Sequence, residues 1–175
     1  MSKILITYST TDGHTREICE RLKMVVEAQG HEVRLEPIKD ERLVDLEAFD
    51  KIVVGASIRY GKHRPAVYAF VRKYRDKLEG RPTAFFSVNV VARKPEKNQP
   101  ETNPYLRKFL MQLSWQPSEV EVFAGKIDYP KYDFWDRQII RLIMWITQGP
   151  TDPDAVVDFT DWARVDVFGR VIARM

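Results

Sequence analysis

Short apolar runs alternate with amphipathic segments along the whole chain. The runs at 3–8 and 51–56 are almost continuously apolar and end in polar residues, which is typical of strands buried on both faces of a parallel sheet. Ile18, Leu22 and Val26 recur at helical spacing, and Gly30 is a helix stop signal. The pattern predicts strands at 3–8, 31–37, 51–56, 83–91 and 119–125. Further helices are predicted at 66–78, 103–113 and 161–173, with a short one around Leu43 and Leu46.

This alternation predicts a single α/β domain spanning residues 1–175. Strand–helix–strand units with right-handed crossovers build a parallel sheet that is covered by helices on both faces, here a three-layer sandwich of five strands. One segment departs from the alternation. Residues 126–149, after the fifth strand, are unusually rich in aromatic and aliphatic side chains, and we expect a hydrophobic helical insertion there.

The composition narrows the class of protein. Apolar residues make up 44% and charged residues 30% of the 175, which is typical of a globular domain. The net charge of +3 favours anionic ligands or an anionic membrane surface, and it is too small to indicate nucleic acid. The single cysteine, Cys19, cannot form an internal disulfide and is expected to be buried as a small apolar residue. A reducing cytoplasm is compatible with this. No apolar run reaches the roughly 18 residues of a spanning helix, so membrane contact would be peripheral.

The first strand–helix loop carries the strongest chemical signal. In open parallel sheets, ligands bind outside the carboxyl ends of the strands. Hydroxyls and backbone amides at a helix start favour an anion, and the loop lacks both the Walker lysine and the dinucleotide glycine pattern. A phosphomonoester such as that of flavin mononucleotide (FMN) fits this loop; the alternative is an ordinary capped helix start. The predicted cofactor residues are Ser9, Thr10, Thr11, Asp12, Gly13, His14 and Thr15.

Two further loops should meet the first one. The loop after the third predicted strand offers Tyr60 for stacking on a flavin ring and Arg59 for an acidic substrate, and the next loop offers amides and Asn89 to the polar ring edge. A surface aromatic and solvated charges are the alternatives. The remaining predicted cofactor residues are Ala56, Ser57, Ile58, Gly61, Ser87, Val88, Val91 and Ala92. Arg93 and Lys94 lie where a carboxylate substrate would arrive.

The insertion contains an unusual helix. Asp133, Arg137 and Arg141 form one narrow polar stripe, and most of the remaining circumference is apolar. That apolar face could pack on the domain's own core, on a second subunit in a homo-oligomer, or at a lipid interface with Trp135 and Trp145 as anchors. In each case it could shape a hydrophobic substrate pocket. We assign Tyr129, Tyr132 and Trp135 to substrate binding.

No residue pattern predicts chemistry by the protein alone. His14, His31 and His63 lie apart with no partner at metal-ligand spacing, so no metal site is expected. No histidine-paired nucleophile is evident, and no catalytic side chain is assigned. The chemistry would then come from the cofactor.

Four stretches and a short motif together resemble the menaquinone-dependent protoporphyrinogen oxidases of bacterial haem synthesis. They are residues 8–18, 55–61 and 87–97, the insertion that begins at 129–132, and Thr160-Asp161-Trp162. The resemblance covers nearly the whole chain. It implies a flavodoxin-like fold with strand order 2-1-3-4-5, and a long insertion after strand five that matches 126–149.

The resemblance also implies an activity. FMN would take electrons from protoporphyrinogen IX, six in all, to give protoporphyrin IX in the penultimate step of haem synthesis, and a membrane quinone, menaquinone or ubiquinone, would reoxidise it. The protein would lie at the cytoplasmic face of the inner membrane. Arg59, Arg93 and Lys94 could pair with the substrate propionates.

One residue departs from the usual flavodoxin pattern, and other activities stay open. Asp12 replaces a hydroxyl residue of ordinary flavodoxins, and we expect it to point away from the phosphate or to cap the helix. The alternatives are a flavodoxin-type electron carrier, a nicotinamide-dependent quinone reductase and a flavin-free scaffold. The positive charge of the chain counts against a carrier, since such carriers are usually acidic.

Overall fold

The computed structural model describes residues 1–39 and 44–175, so Leu43 of the predicted short helix lies outside the described residues. The strands are β1 Lys3–Ser9, β2 Glu32–Pro37, β3 Lys51–Arg59, β4 Lys62–His63, β5 Thr83–Asn89, β6 Glu119–Ala124, β7 Lys126–Asp128 and β8 Val156–Asp158. The α-helices are α1 His14–Glu27, α2 Pro65–Lys73, α3 Arg75–Glu79, α4 Pro104–Leu113, α5 Phe134–Ile146 and α6 Trp162–Arg174. Leu46–Ala48 is a single 3₁₀ turn.

The central sheet has the order β2-β1-β3-β5-β6, and all four pairings are parallel. The predicted flavodoxin-like fold is confirmed, since these five long strands follow the predicted order. The sequence missed β4, which adds a sixth strand antiparallel to the end of β3. Tyr60 and Gly61 join the two with φ values of 52° and 75°, the backbone signs of a two-residue hairpin turn.

Each face of the sheet carries its own apolar layer. On one face α1 and α6 pack over Phe86 and Phe123, and on the other α2 and α4 pack over Phe85. Val67 of α2 and Phe109 of α4 are buried in this second layer. The helices do not cover the carboxyl ends of the parallel strands, and a cavity lies at that edge of the sheet.

Two predicted elements differ in the structure. The helix predicted at 66–78 is divided into α2 and α3 at Tyr74, where ψ is 15°. The Tyr74 ring stays buried against Phe70, and its hydroxyl accepts a hydrogen bond of 3.1 Å from the Val44 amide. A long-range contact of this kind leaves no mark in local periodicity, so the break could not be predicted.

The segment after β6 extends further than the predicted 126–149. β7 pairs antiparallel with β8, so the excursion from the sheet closes at Asp158. It has a small core of its own, formed by Ile127, Tyr129, Tyr132 and Met144. We call residues 126–158 the excursion. The return strand was missed because its three residues are too short to show a period.

Candidate functional site

A cavity of about 550 Å³ lies at the carboxyl ends of β1, β3 and β5. This volume falls in the range of cofactor sites. The loops predicted from sequence form one side of the cavity, and the excursion forms the other. The predicted residues that line it are Thr10, Thr11, Asp12, His14, Thr15, Ser57, Ile58, Arg59, Tyr60, Gly61, Val88, Asn89, Val91 and Tyr132. The sequence missed Glu17, Val90, Tyr105, Gly125, Lys126, Ile127, Asp128, Lys131, Ile140, Ile143 and Met144.

The loop after β1 is shaped to receive an anion. Gly13 precedes α1 with φ 91°, and its amide donates to Thr10 Oγ1 at 3.0 Å. Within the described residues no side chain caps α1, so the capped-helix alternative is wrong, and of the two expectations for Asp12 the capping of the helix is excluded. The Thr15 hydroxyl is buried and has no partner within the described residues. A helix start with free amides and an orphaned buried hydroxyl is complementary to a bound phosphate.

His14 connects this loop to the residues that follow the excursion. Its Nδ1 lies 2.8 Å from a Glu17 carboxylate oxygen, and its Nε2 lies 2.6 Å from Thr160 Oγ1. The Thr160 hydroxyl donates its single proton to the Ala124 carbonyl at 3.0 Å, so it accepts from His14 Nε2. Trp162 packs edge-on against the ring at 5.9 Å. His14 therefore holds α1, β6 and the start of α6 together beside the cavity.

The loop predicted after β3 is mostly strand. β3 continues to Arg59, so Ala56, Ser57 and Ile58 lie in the sheet, and only Tyr60 and Gly61 form a turn. Ser57 Oγ is a second buried hydroxyl that lacks a partner among the described residues. Tyr60 lines the cavity with half of its side chain exposed.

The sequence suggested that Arg59 binds a substrate carboxylate, but in the structure it is already paired with two carboxylates of the protein. Its Nη2 donates to Asp12 at 2.5 Å and its Nη1 donates to Asp136 of α5 at 2.6 Å. Burial alone would lower the pKa of Arg59, but Asp12 and Asp136 outweigh it and raise the pKa. The Tyr60 hydroxyl also donates to Asp136. Both predicted site residues thereby hold the first turn of α5.

The side chain of Asn89 points into the protein, contrary to the expectation that it meets the flavin. Its Oδ1 accepts from the Ala92 amide and from Asn103 Nδ2, at 3.2 and 3.0 Å. Its Nδ2 lies 3.3 Å from Ser87 Oγ, which lies 3.0 Å from His63 Nε2. Burial lowers the pKa of His63 to about 3, so the ring is neutral at pH 7. This buried network orders the backbone that lines the cavity at 88–91.

Arg93 is likewise engaged within the protein. Its Nη2 donates to the Thr147 carbonyl at 2.9 Å, and its Nη1 donates to the Val90 carbonyl at 3.0 Å. Burial lowers the pKa of this guanidinium. Lys126 and Lys131 of the excursion line the cavity. The predicted residues Ser9, Gly13, Ala56, Ser87, Ala92, Arg93 and Lys94 are not among the lining residues. Lys126 and Lys131 could not be predicted as cavity residues from the sequence, because strand β7 was not recognised.

Helix α5 has its apolar face outside. Arg137 and Arg141, from the predicted polar stripe, are half-buried and donate to the carbonyls of Tyr132 and Thr151. Met144 alone of the helix is buried, so the interpretation that this face packs on the domain's own core is wrong. The exposed large apolar residues are Phe134, Trp135, Ile139, Leu142, Ile143, Trp145 and Ile146.

The inner side of α5 closes the cavity. Ile140, Ile143 and Met144 line it beside Tyr132, while Trp135 faces outward with 73% of its surface exposed. Tyr129 is buried in the excursion core and donates to the Pro150 carbonyl at 2.7 Å. Of the three insertion residues assigned to substrate binding, Tyr132 alone lines the cavity.

Two features are absent from residues 1–39 and 44–175. No helix there is long and apolar enough to cross a membrane. No group of three His, Cys, Asp or Glu side chains there is close enough to hold a metal ion.

The chain is similar to known proteins in sequence and fold. The family model described as "Flavodoxin domain" matches residues 5–154. A protoporphyrinogen IX dehydrogenase (quinone) of Escherichia coli strain K12 is 44% identical over 173 residues, which cover 99% of this chain and 96% of that protein. A Leishmania major protein of the same name is 44% identical over 175 residues, covering 99% of this chain and 75% of that protein.

Solved structures share the fold at low identity. A flavodoxin from the domain Archaea aligns with a TM-score of 0.56 at 17% identity, covering 98% of this chain and 96% of that one. Flavodoxin 1 of Bacillus cereus aligns with a TM-score of 0.53 at 15% identity, covering 99% and 98%.

Proposed function

Because the chain belongs to the flavodoxin domain family and, within it, to the quinone-dependent protoporphyrinogen IX dehydrogenases, we propose that it oxidises protoporphyrinogen IX with bound FMN and a membrane quinone. The observation that carries the proposal is the shared cavity, in which the loops after β1, β3 and β5 face the inner side of α5. One side can hold a flavin and the other can hold a large apolar substrate.

The residues present fit FMN. The unpartnered hydroxyls of Thr15 and Ser57 are buried donors at the cavity, and the free amides at the start of α1 suit a phosphate. The backbone at 88–91, held by Asn89, offers main-chain groups to the polar edge of a ring. The loop after β1 carries no Walker lysine, which suits a phosphomonoester. The flavin supplies an acceptor that takes two electrons at a time.

The protein binds and shields the reactants. Protoporphyrinogen IX gives up six electrons and six protons, and three quinone molecules take them up as quinols. Tyr132, Ile140 and Met144 provide an apolar wall against the macrocycle and exclude water from it. No side chain is assigned as an acid or base, since the pyrrole nitrogens can release protons to solvent.

Lys126 and Lys131 are our candidates for the substrate carboxylates. Both line the cavity from the excursion, opposite the cofactor loops. Lys131 pairs with Asp128 at 3.3 Å, but about half of the Lys131 side chain is exposed, so its ammonium group is accessible to a propionate. Arg59 and Arg93 are held by other groups of the protein, so they are no longer our candidates for this role.

A lipid interface is our proposal for the outer face of α5. Trp135 and Trp145 are each 73% exposed, and Leu142 and Ile146 of the same helix are exposed as well. Tryptophans with aliphatic residues favour the boundary of a bilayer, where quinones dissolve. The two arginines of the helix donate to carbonyls of the protein, so their charges are directed away from that surface. We propose peripheral contact with the cytoplasmic face of the inner membrane.

The decisive assay is anaerobic and follows porphyrin fluorescence. The purified protein is mixed with protoporphyrinogen IX, with and without menadione or a ubiquinone analogue. We expect porphyrin to form only with quinone. Absence of quinone-dependent porphyrin would refute the activity, and quinone reduction by reduced nicotinamide alone would support the quinone reductase instead. Mass spectrometry of the chromophore released by heat separates FMN from other flavins.

A further inference from the structure

A carboxylate stands in the loop that is shaped for an anion. Asp12 lies immediately before Gly13, at the start of α1, and it lines the same cavity as Thr11 and Thr15. An ionised aspartate a few ångströms from a phosphate repels it, and the low dielectric of a partly closed cavity strengthens the repulsion. A neighbouring cation is needed if this loop is to bind a phosphate well.

Arg59 is that cation, and its position is unusual. One terminal nitrogen contacts Asp12 at 2.5 Å and the other contacts Asp136 at 2.6 Å, so the guanidinium joins two segments that are far apart in sequence. Only 17% of its side chain is exposed, and its Cζ lies 5.2 Å from the centre of the Tyr132 ring. The guanidinium is held on three sides and has little freedom to swing away.

Asp136 belongs to the first turn of α5, whose N-terminal cap is Asp133. The same carboxylate accepts the Tyr60 hydroxyl from the β3–β4 turn. The N-terminal end of α5 is therefore attached to the cofactor side of the cavity through Arg59 and Tyr60. Movement of Asp12 or of Arg59 must disturb this attachment.

We propose that Arg59 is a positioning residue with two linked roles: it neutralises Asp12 in the loop that receives the cofactor phosphate, and it fixes the N-terminal end of α5 to that loop. Cofactor binding and the position of the substrate-facing helix are then coupled through one guanidinium. The inference rests on the proposed function, because it requires a flavin that carries a phosphate. It assigns Arg59 no contact with the phosphate itself.

Affinities for FMN and riboflavin isolate the first role, since the two ligands differ only in the phosphate. The full-length chain, freed of flavin, is titrated by quenching of flavin fluorescence. We expect Arg59→Gln to weaken FMN binding about ten- to a hundredfold, the effect of one unscreened charge near an anion, and riboflavin binding less than about threefold. Arg59→Lys keeps the charge and should retain most of the preference for FMN.

A double variant distinguishes neutralisation from direct contact. If Arg59 acts through Asp12, the variant Asp12→Asn with Arg59→Gln should bind FMN within about threefold of Asp12→Asn alone. If the double variant stays as weak as Arg59→Gln, Arg59 contacts the phosphate and the inference is overturned. Equal losses for FMN and riboflavin would also overturn it, because they indicate a structural role only. Failure of the unaltered chain to bind either flavin would instead overturn the cofactor proposal.

Amide exchange tests the second role. In the unaltered chain, FMN should slow exchange of the amides at 136–140 in α5. Asp136→Asn should abolish most of that slowing, whereas Asp133→Asn, which removes a carboxylate charge from the start of the same helix but keeps a side-chain oxygen that caps it, should retain it. Exchange at 136–140 that does not respond to FMN in the unaltered chain would overturn the coupling.

Discussion

The guanidinium of Arg93 donates a hydrogen bond of 2.9 Å to the carbonyl oxygen of Thr147, which joins the turn after β5 to the C-terminal end of α5. The same side chain holds the Val90 carbonyl at the cavity. With Arg59 at the other end, α5 is held at both ends by residues of the two later cofactor loops.

Arg93→Ala should release the C-terminal end of α5. We expect kcat/KM for protoporphyrinogen to fall about tenfold, because Ile140 and Met144 lose their fixed place at the cavity and a hydrogen bond from a charged group is worth about 1.5–3 kcal/mol. The FMN dissociation constant should change less than threefold. Steady-state kinetics and flavin titration measure both. Arg107→Ala, at an exposed site on α4, is the matched control.

Lys126→Ala combined with Lys131→Ala should raise the KM for protoporphyrinogen about tenfold, with kcat little changed. Each lysine would pair with a substrate carboxylate in a partly exposed site, worth roughly 1 kcal/mol. The KM of the unaltered enzyme should also rise with salt more steeply than that of the variant. Lys108→Ala on α4 is the control. An unchanged KM would remove both lysines from the substrate site.

Trp135→Ser combined with Trp145→Ser should reduce binding to vesicles of anionic phospholipid at least tenfold, since both indoles are exposed on the outer face of α5. Sedimentation with the vesicles measures the fraction of protein bound. Met111→Ser, an exposed residue of α4, should bind as the unaltered protein does. If the unaltered protein does not bind vesicles and elutes as a dimer, whereas the double tryptophan variant elutes as a monomer, a second copy covers this face instead.

His63 should make the protein sensitive to acid. Its folded pKa is about 3, below the ordinary 6.5, because the ring is buried. Between these values the unfolded chain binds a proton that the folded chain does not, so stability falls as pH drops from about 6.5 towards 3, and above about 6.5 the group contributes no pH dependence. The slope is about 1.4 kcal/mol per pH unit, roughly 2 kcal/mol at pH 5.

Urea unfolding at pH 7 and pH 5 tests this, with His63→Phe as the comparison. Phenylalanine can pack on Phe109, whose ring lies 4.6 Å from the His63 ring, and it does not titrate. The variant should therefore lose about 2 kcal/mol less between the two pH values. Parallel losses in both proteins would contradict a neutral buried His63.

Gly55→Ala should destabilise the fold by about 1–3 kcal/mol. A Cβ at this position of β3 would lie 2.3 Å from Phe86 Cζ, and Phe86 is fully buried and cannot move aside. Gly80→Ala is the matched control, because its Cβ would meet only the Asp76 carbonyl at 3.4 Å. Unfolding midpoints in urea compare the two. A midpoint of Gly55→Ala equal to that of the control would show that the strands tolerate a wider spacing.

The sequence alone determined the parallel sheet and the place of the cavity. Continuous apolar strands such as 51–56 must be covered on both faces, and that requirement places helices on either side and the loop ends at one edge. The hydroxyl-rich loop at Thr10 to Thr15 was recognisable because its chemistry is local. The short strands β4, β7 and β8 were not, since two or three residues are too few to show a period.

The roles of the charged residues depend on contacts between segments that are distant along the chain. Arg59 and Arg93 looked like substrate cations in sequence, but each finds carboxylates or carbonyls on α5, which is distant along the chain. The sequence predicts that Arg137 and Arg141 lie on one side of the helix. That side faces the protein because the two arginines donate to the carbonyls of Tyr132 and Thr151. A charge pattern on a helix defines its polar face, whereas which way that face turns is set by the groups packed around it.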